Sequence, residues 1–275
     1  MPAFATMAPT KPLGLTITPA TVQITVDPGT PATRALTVTN NTKNAVTVSL
    51  VAEQFNVTDV DYDYSFSAPT DVTKWVSFNT NNFILGASQS QQVVYTLAAP
   101  KTAEPGGKYL SLFAQTSQGQ ASGITTVSRV GELLYITVAG KASQTGSLDK
   151  LTTPRFISQN TKWQALISDK GTLHFDSRWR VTLQSVFGGV VTATTSDSLI
   201  LPKTTKAVNG DMPLPEGPGI YKATFTIGLG DTPAASGSIY VFYIPMWLRW
   251  ALLGIAASLV GILLRWLVPR YKRRS

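Results

Sequence analysis

The chain has no cysteine and a single histidine, His174, among its 275 residues. Without thiols there are no disulfides, no thiolate metal ligands and no cysteine nucleophile. One imidazole excludes a zinc site of the usual His and Cys composition. A histidine-based triad would rest on this residue alone. Ser177 and Asp176 are its neighbours in KGTLHFDSRW, but a triad needs convergence in space, and His174 reads as a strand-edge residue. Charge is also scarce. Only 14% of residues are charged and 15 are acidic, against about a quarter charged in an ordinary domain. No pair of carboxylates stands out for glycoside chemistry. No glycine-rich phosphate loop is present; Gly86 and Gly106-Gly107 suit turns between strands. The chain therefore reads as a binding protein without cofactor, not as an enzyme.

The net charge of +8 has to be located before it means anything. Residues 244–275 hold Arg249, Arg265, Arg270, Lys272, Arg273 and Arg274 and no acid, which leaves 17 basic against 15 acidic residues elsewhere. A nearly neutral body with a basic tail beside an apolar run does not suit nucleic acid as a partner.

That apolar run is WALLGIAASLVGILLRWLVPRYKRRS. Trp250 to Leu264 carries no charge, and Pro245 and Pro269 suit the ends of a helix. Met246–Val268 would be roughly 34 Å long at 1.5 Å per residue, enough for a hydrocarbon core of about 30 Å. Arg249 and Arg265 can extend their guanidinium groups to the interfaces. Trp247 and Trp250 mark one interface and Trp266 the other. We read 244–269 as a transmembrane helix in a lipid bilayer and 270–275 as a basic tail. Arg265, Arg270, Lys272, Arg273 and Arg274 gather at one end, so the positive-inside rule puts the C-terminus in the cytoplasm and the preceding domains outside the cell. A cytoplasm-facing, tail-anchored protein is the competing topology and would export the basic tail. At the other end, MPAFATMAPTKP lacks the basic start and apolar run of a signal peptide, yet holds the cleavage-like Ala3-Phe4-Ala5. Residues 1–12 are read as the remnant of a signal peptide or a disordered leader.

Between these ends the chain is a series of short alternating runs rich in Val and Thr. They include VQITVD (22–27), RALTVTN (34–40), NAVTVSLVAEQF (44–55), QQVVYTLAAP (91–100), KYLSLFAQ (108–115) and ELLYITVAG (132–140). WQALIS (163–168), RVTLQSV (180–186), GVVTATT (189–195), YKATFTIG (221–228) and GSIYVFYI (237–244) follow. A period of two with β-branched residues predicts half-buried strands. Pro28-Gly29, Pro105-Gly106-Gly107, Asn209-Gly210 and Pro218-Gly219 are read as turns. No stretch before residue 244 has helical periodicity. The fold class is all-β: two tandem immunoglobulin-like sandwiches over 13–142 and 143–243, parted at the polar GKASQTG, then the single transmembrane helix.

VDPGTPATRALTVTNNTKNAVTVSL, then WVSF and FILGASQSQQVVYTLAAPKTAEPGGKYLSLFAQ, then RVGELLYITVAG, resemble the first domain of Gram-positive WxL-interacting surface proteins. GSLDKL, GPGIYKATFTIG and the closing YVFYIPMW are similar to the rest of that architecture. The resemblance implies a bacterial cell-surface protein whose first domain binds peptidoglycan and whose second binds a host or partner protein. It brings no discrete binding motif.

Two clusters stand out as candidate sites. Asp59, Asp61 and Asp63 in DVDYDY would share one face of a strand, and three carboxylates suit Ca²⁺. The glycine and closing glutamate of an EF-hand loop are missing, and charges on a strand edge also serve to prevent pairing. Tyr62, Tyr64 and Phe66 alternate with those acids and form a candidate partner-contact patch. Trp75, Trp163 and Trp179 read as core residues rather than carbohydrate platforms. The expected role is adhesion or scaffolding at the cell membrane, holding peptidoglycan or a surface protein. The alternative is a membrane-anchored assembly chaperone acting by strand addition, with QQVVYTLAA and ELLYITVAG as the candidate edges.

Overall fold

A computed structural model describes residues 14–67, 69–119, 125–158, 161–188 and 191–271. The chain is mostly β-strand and divides into two compact units. Unit 1 holds the residues up to Ser143 together with Gly171–His174 and Leu201–Thr204; unit 2 holds Gln144–Lys170, Phe175–Ile200 and the residues from Thr205 on.

Unit 1 contains β1 (Leu15–Thr18), β2 (Thr21–Val26), β3 (Ala32–Asn40), β4 (Val46–Val57), β5 (Tyr64–Ser67), β6 (Val76–Phe78), β7 (Asn82–Leu85), β8 (Ser90–Leu97), β9 (Gly106–Gly119) and β10 (Thr125–Val138). One sheet has the order β1-β3-β8-β6; the other runs β2-β10-β9-β4-β5, with β7 also on β4. The chain changes sheets between β1, which pairs antiparallel with β3, and β2, which pairs parallel with β10. The alternation expected of half-buried strands is visible in β3, where Leu36, Val38 and Asn40 point inward, and in β8, where Val93, Tyr95 and Leu97 do. These meet Leu110, Leu112, Ala114, Leu134, Ile136 and Val138 from the other sheet in a largely aliphatic core. Trp75 lies at its margin. A pleated strand puts every second side chain on one face, and burying that face supplies most of the stabilisation.

Unit 2 contains β11 (Gly146–Thr152), β12 (Phe156–Ile157), β13 (Lys162–Asp169), β14 (Phe175–Ser185), β15 (Val191–Ile200), β16 (Thr205–Asp211), β17 (Gly219–Leu229), β18 (Thr232–Tyr243) and the helix α1 (Met246–Tyr271). The sheets are β11-β13-β16 and β12-β18-β17-β14-β15. The core combines aliphatic side chains with the rings of Trp163, Phe175, Trp179, Tyr221 and Phe225. Trp163 packs edge-on against Trp179, with centroids 4.6 Å apart, and against Phe225 at 5.6 Å. Asn209-Gly210, expected as a turn, lies inside β16 opposite Lys162 and Trp163. The glycine serves the core, not a bend: a Cβ there would stand 2.7 Å from the Trp163 indole.

α1 is long and apolar enough to cross a membrane, with mean hydropathy 1.8 over Met246–Leu263. Its side chains from Met246 to Leu263 are mostly exposed, Trp247 at 65% and Trp250 at 69%. Arg249 reaches back so that its Nε donates to the Ile244 carbonyl. Arg265, Trp266 and Arg270 fall on the helix, which runs past Pro269 to Tyr271 rather than stopping there. Lys272, Arg273 and Arg274 lie outside the described residues.

Candidate partner-binding edge of the first sandwich

β9 and β10 are the longest strands of unit 1 and pair along their whole length, from Gly106 opposite Val138 to Gly119 opposite Thr125. Their other neighbours are shorter. β2 covers β10 only at Leu133–Val138, because the residues before it are spent in β1 on the opposite sheet. β4 covers β9 only at Leu110–Gln115. Among the described residues, no strand pairs with Thr125–Glu132 on the side away from β9.

The hydrogen-bond phase of that edge follows from two contacts. The Leu133 N–H donates to the Ala20 carbonyl and the Ala139 N–H to the Val26 carbonyl. Odd-numbered residues of β10 therefore turn their N–H and C=O toward β2. Because backbone polar groups alternate sides along a strand, Thr125, Val127, Arg129 and Gly131 turn theirs outward where β2 has not begun. Unpaired edge groups of this kind are a template for another strand.

The side chains beside the edge differ on the two faces. On the core face Glu132 is completely buried, in line with Leu134 and Ile136. The Tyr95 hydroxyl donates to its Oε1 at 3.0 Å, and among the described residues Oε2 has no hydrogen-bond partner. Burial pushes this carboxyl up to about 7, with the Tyr95 bond acting the other way. Burial and the adjacent carboxyl push the Tyr95 hydroxyl up. On the outer face the Arg129 guanidinium lies 3.9 Å from the Phe113 ring centroid and 5.3 Å from that of Phe66. Its Nη1 donates to both carboxylate oxygens of Glu53, at 3.0 and 3.2 Å. Phe113 lies across Gly131, where a Cβ would come within 2.7 Å of the ring.

The sequence candidates fall partly elsewhere. QQVVYTLAA is held by β3 at Gln91–Leu97 and by β6 at Tyr95–Leu97. ELLYITVAG is flanked by β9 and β2 from Leu133 on, so the open edge begins where that segment starts and runs backward from it. Asp59, Asp61 and Asp63 do not share a strand face. They form a turn between β4 and β5, in which the Asp59 carboxylate accepts the backbone N–H groups of Asp61 and Asp63, each at 3.1 Å. Among the described residues no three His, Asp or Glu side chains gather to hold a metal. Tyr62 sits in the same turn with φ of 69°. It is buried, and its hydroxyl accepts the Leu201 N–H at 2.7 Å, which removes it from any contact patch. Tyr64 remains exposed, while Phe66 is half-buried against Phe55 and Phe113. His174 is not an exposed strand edge: it is buried in unit 1, its ring 5.6 Å from Tyr109 and 5.9 Å from Tyr135. Arg129 was not singled out by sequence, because nothing local marks a lone arginine as the cover of a phenylalanine.

No protein-family profile matches the chain, and no curated protein matches it. Among solved structures it is similar to the class 5 fimbriae chaperone CfaA, with 8% identity and a TM-score of 0.43, covering 85% of this chain and 100% of that one. It is similar to the CsuC–CsuE chaperone–tip subunit pre-assembly complex of Acinetobacter baumannii, with 12% identity, TM-score 0.38, and 70% and 89% of the two chains covered. A PapD-like domain of human CEP192 matches at 16% identity and TM-score 0.33 over 51% of this chain and 98% of that one.

Proposed function

We propose that the protein is a membrane-anchored binding protein of the bacterial cell surface that takes an extended segment of a partner surface protein by strand addition to β10. The observation that carries this reading is the open edge at Thr125–Glu132, with the backbone groups of Thr125, Val127, Arg129 and Gly131 turned outward. Main-chain hydrogen bonds would give affinity along that edge, and side-chain contacts on either face would give selectivity. The role is that of an assembly chaperone or scaffold, and it needs no catalytic group. α1 holds the binding unit to the bilayer, with the sandwiches outside and the basic tail inside by the positive-inside rule. Anchoring raises the effective concentration of the edge near its partner, so modest affinity suffices. Peptidoglycan binding by the first domain, implied by the resemblance to WxL-interacting proteins, is the competing outcome of the same test.

The test uses the full chain in the cell envelope. A photoreactive residue replaces the exposed Ser128, and captured segments are mapped. In parallel, Val127→Pro removes one outward N–H while the β9 ladder, which uses the even-numbered residues, keeps its bonds. A crosslink to an extended protein segment that disappears with Val127→Pro supports strand addition. Retention on purified peptidoglycan at two salt concentrations, unchanged by Val127→Pro and without a protein crosslink, would overturn it in favour of wall binding.

A further inference from the structure

Among the described residues of unit 2 outside α1, the large exposed apolar side chains gather at one end. Outside α1, the large exposed apolar residues of this unit are Phe156, Val186, Phe187, Leu214, Tyr240 and Phe242, among the described residues. The sheet registers place them together. Tyr243 at the end of β18 pairs with Gly219 at the start of β17, and Ser185 at the end of β14 pairs with Tyr221. Val186 and Phe187 follow β14 directly. Phe156 on β12 pairs with Phe242 and stacks on it, centroids 5.5 Å apart. Leu214 lies in the connection from β16 to β17, whose first residue, Met212, donates to the Thr161 carbonyl just before β13. Tyr240 is three residues from Tyr243, about 10 Å along the strand. The opposite end, where Phe175 pairs with Ile200 and Leu229 with Thr232, exposes no large apolar side chain among the described residues.

This apolar end is also where the chain leaves for the helix. Only Ile244 and Pro245 separate β18 from α1, so Met246 lies at most about 11 Å from Tyr243. Scattered exposed apolar residues need no explanation, but a cluster at one end does. Phe187, at 86% exposure on the turn after β14, is an apolar ring held largely out of its own unit.

We infer that this end of the second sandwich is seated in the bilayer interface, with Phe187, Val186, Leu214 and the Phe156–Phe242 stack in contact with lipid. Aromatic rings favour that depth of a membrane, and the two-residue junction leaves the sandwich no room to stand clear of it. The inference rests on the reading of α1 as a membrane span, and it makes the second sandwich a fixed footing rather than a tethered one.

Because the chain has no cysteine, one introduced thiol is a unique label site. Three full-chain variants, Phe187→Cys, Ala234→Cys near the opposite end and Leu259→Cys on the helix, are labelled with an environment-sensitive fluorophore. Each is reconstituted in phosphatidylcholine vesicles with and without nitroxide-bearing lipid. Blue-shifted emission and strong nitroxide quenching at positions 187 and 259, with neither at 234, is the expected result. Quenching at 259 with none at 187 would overturn the seating while leaving the span intact. Absence of quenching at both 187 and 259 would overturn the span and the seating together.

Discussion

The two sandwiches distribute their aromatic residues in opposite ways. The first fills its interior with Leu, Val and Ile, and sets Phe55, Phe66, Tyr109, Phe113 and Tyr135 into a connected ring cluster on the outer face of its larger sheet. The second places Trp163, Trp179 and Phe225 inside and exposes Phe156, Phe187 and Phe242 at the helix end. Large rings are the most effective way for a small unit to bury area. A unit that keeps most of its rings outside its main core must fill that core chiefly with aliphatic side chains, and the first sandwich does so around the single fully buried ring of Tyr95. In the readings proposed above the difference matches two roles: the first unit keeps a long strand partly uncovered among the described residues, and the second serves as a footing.

The sharpest way to break the comparison is Trp163→Ala. Trp163 is 1% exposed and touches both Trp179 and Phe225. Deleting a buried indole costs about 3–5 kcal/mol through lost burial and a residual cavity. Chemical denaturation of the full chain is expected to show that loss. A cost below about 1.5 kcal/mol would mean that the second core does not depend on its rings and that the contrast with the first is decorative.

A second way concerns the carboxyl group of Glu132, which is fully buried on the core face of β10. Glu132 has an ordinary carboxyl value near 4.5 when the chain is unfolded and about 7 when folded. In that window the unfolded chain has released its proton while the folded one keeps it, so stability falls as pH rises from about 4.5 to 7 and levels off above. The total fall across that window is about 3 kcal/mol, at about 1.4 kcal/mol per pH unit. Glu132→Gln cannot ionise and keeps an acceptor for Tyr95, so its urea midpoint should stay flat from pH 5 to 8 while the parent declines. Equal pH dependence in the two proteins would move the effect to another group.

Much of this architecture was legible. Strict alternation in RALTVTN and YKATFTIG reports a face that must be buried, and β3 and β17 follow it. The apolar run after Pro245 announced its helix, because no polar face interrupts ALLGIAASLVGILL. The misreadings share a physical cause. Asn209-Gly210 has the composition of a turn, yet the glycine is there for the bulk of Trp163, a residue 47 positions away. Asp59, Asp61 and Asp63 alternate as a strand would, yet the Asp59 carboxylate finds backbone donors two and four residues on and closes a turn instead. The open edge is least visible of all. It is a difference in length between β10 and β2, and pairing partners far apart in sequence decide it.

The smallest expected effect lies where the first sandwich carries its rings. Arg129 covers Phe113 and Phe66 and pairs with Glu53, and its side chain is 38% exposed. A cation over a ring at a partly exposed site contributes about 0.5–1 kcal/mol, and an ion pair near the surface about 0–1 kcal/mol. Arg129→Gln should therefore cost only about 1 kcal/mol. Arg129→Lys keeps the charge but loses the flat guanidinium, so it should recover the Glu53 share and not the stacking share. If the glutamine variant instead lost 3 kcal/mol or more, the outer cluster would be a second core with arginine as its lid. The two sandwiches would then differ in where their rings are covered, and not in whether they are.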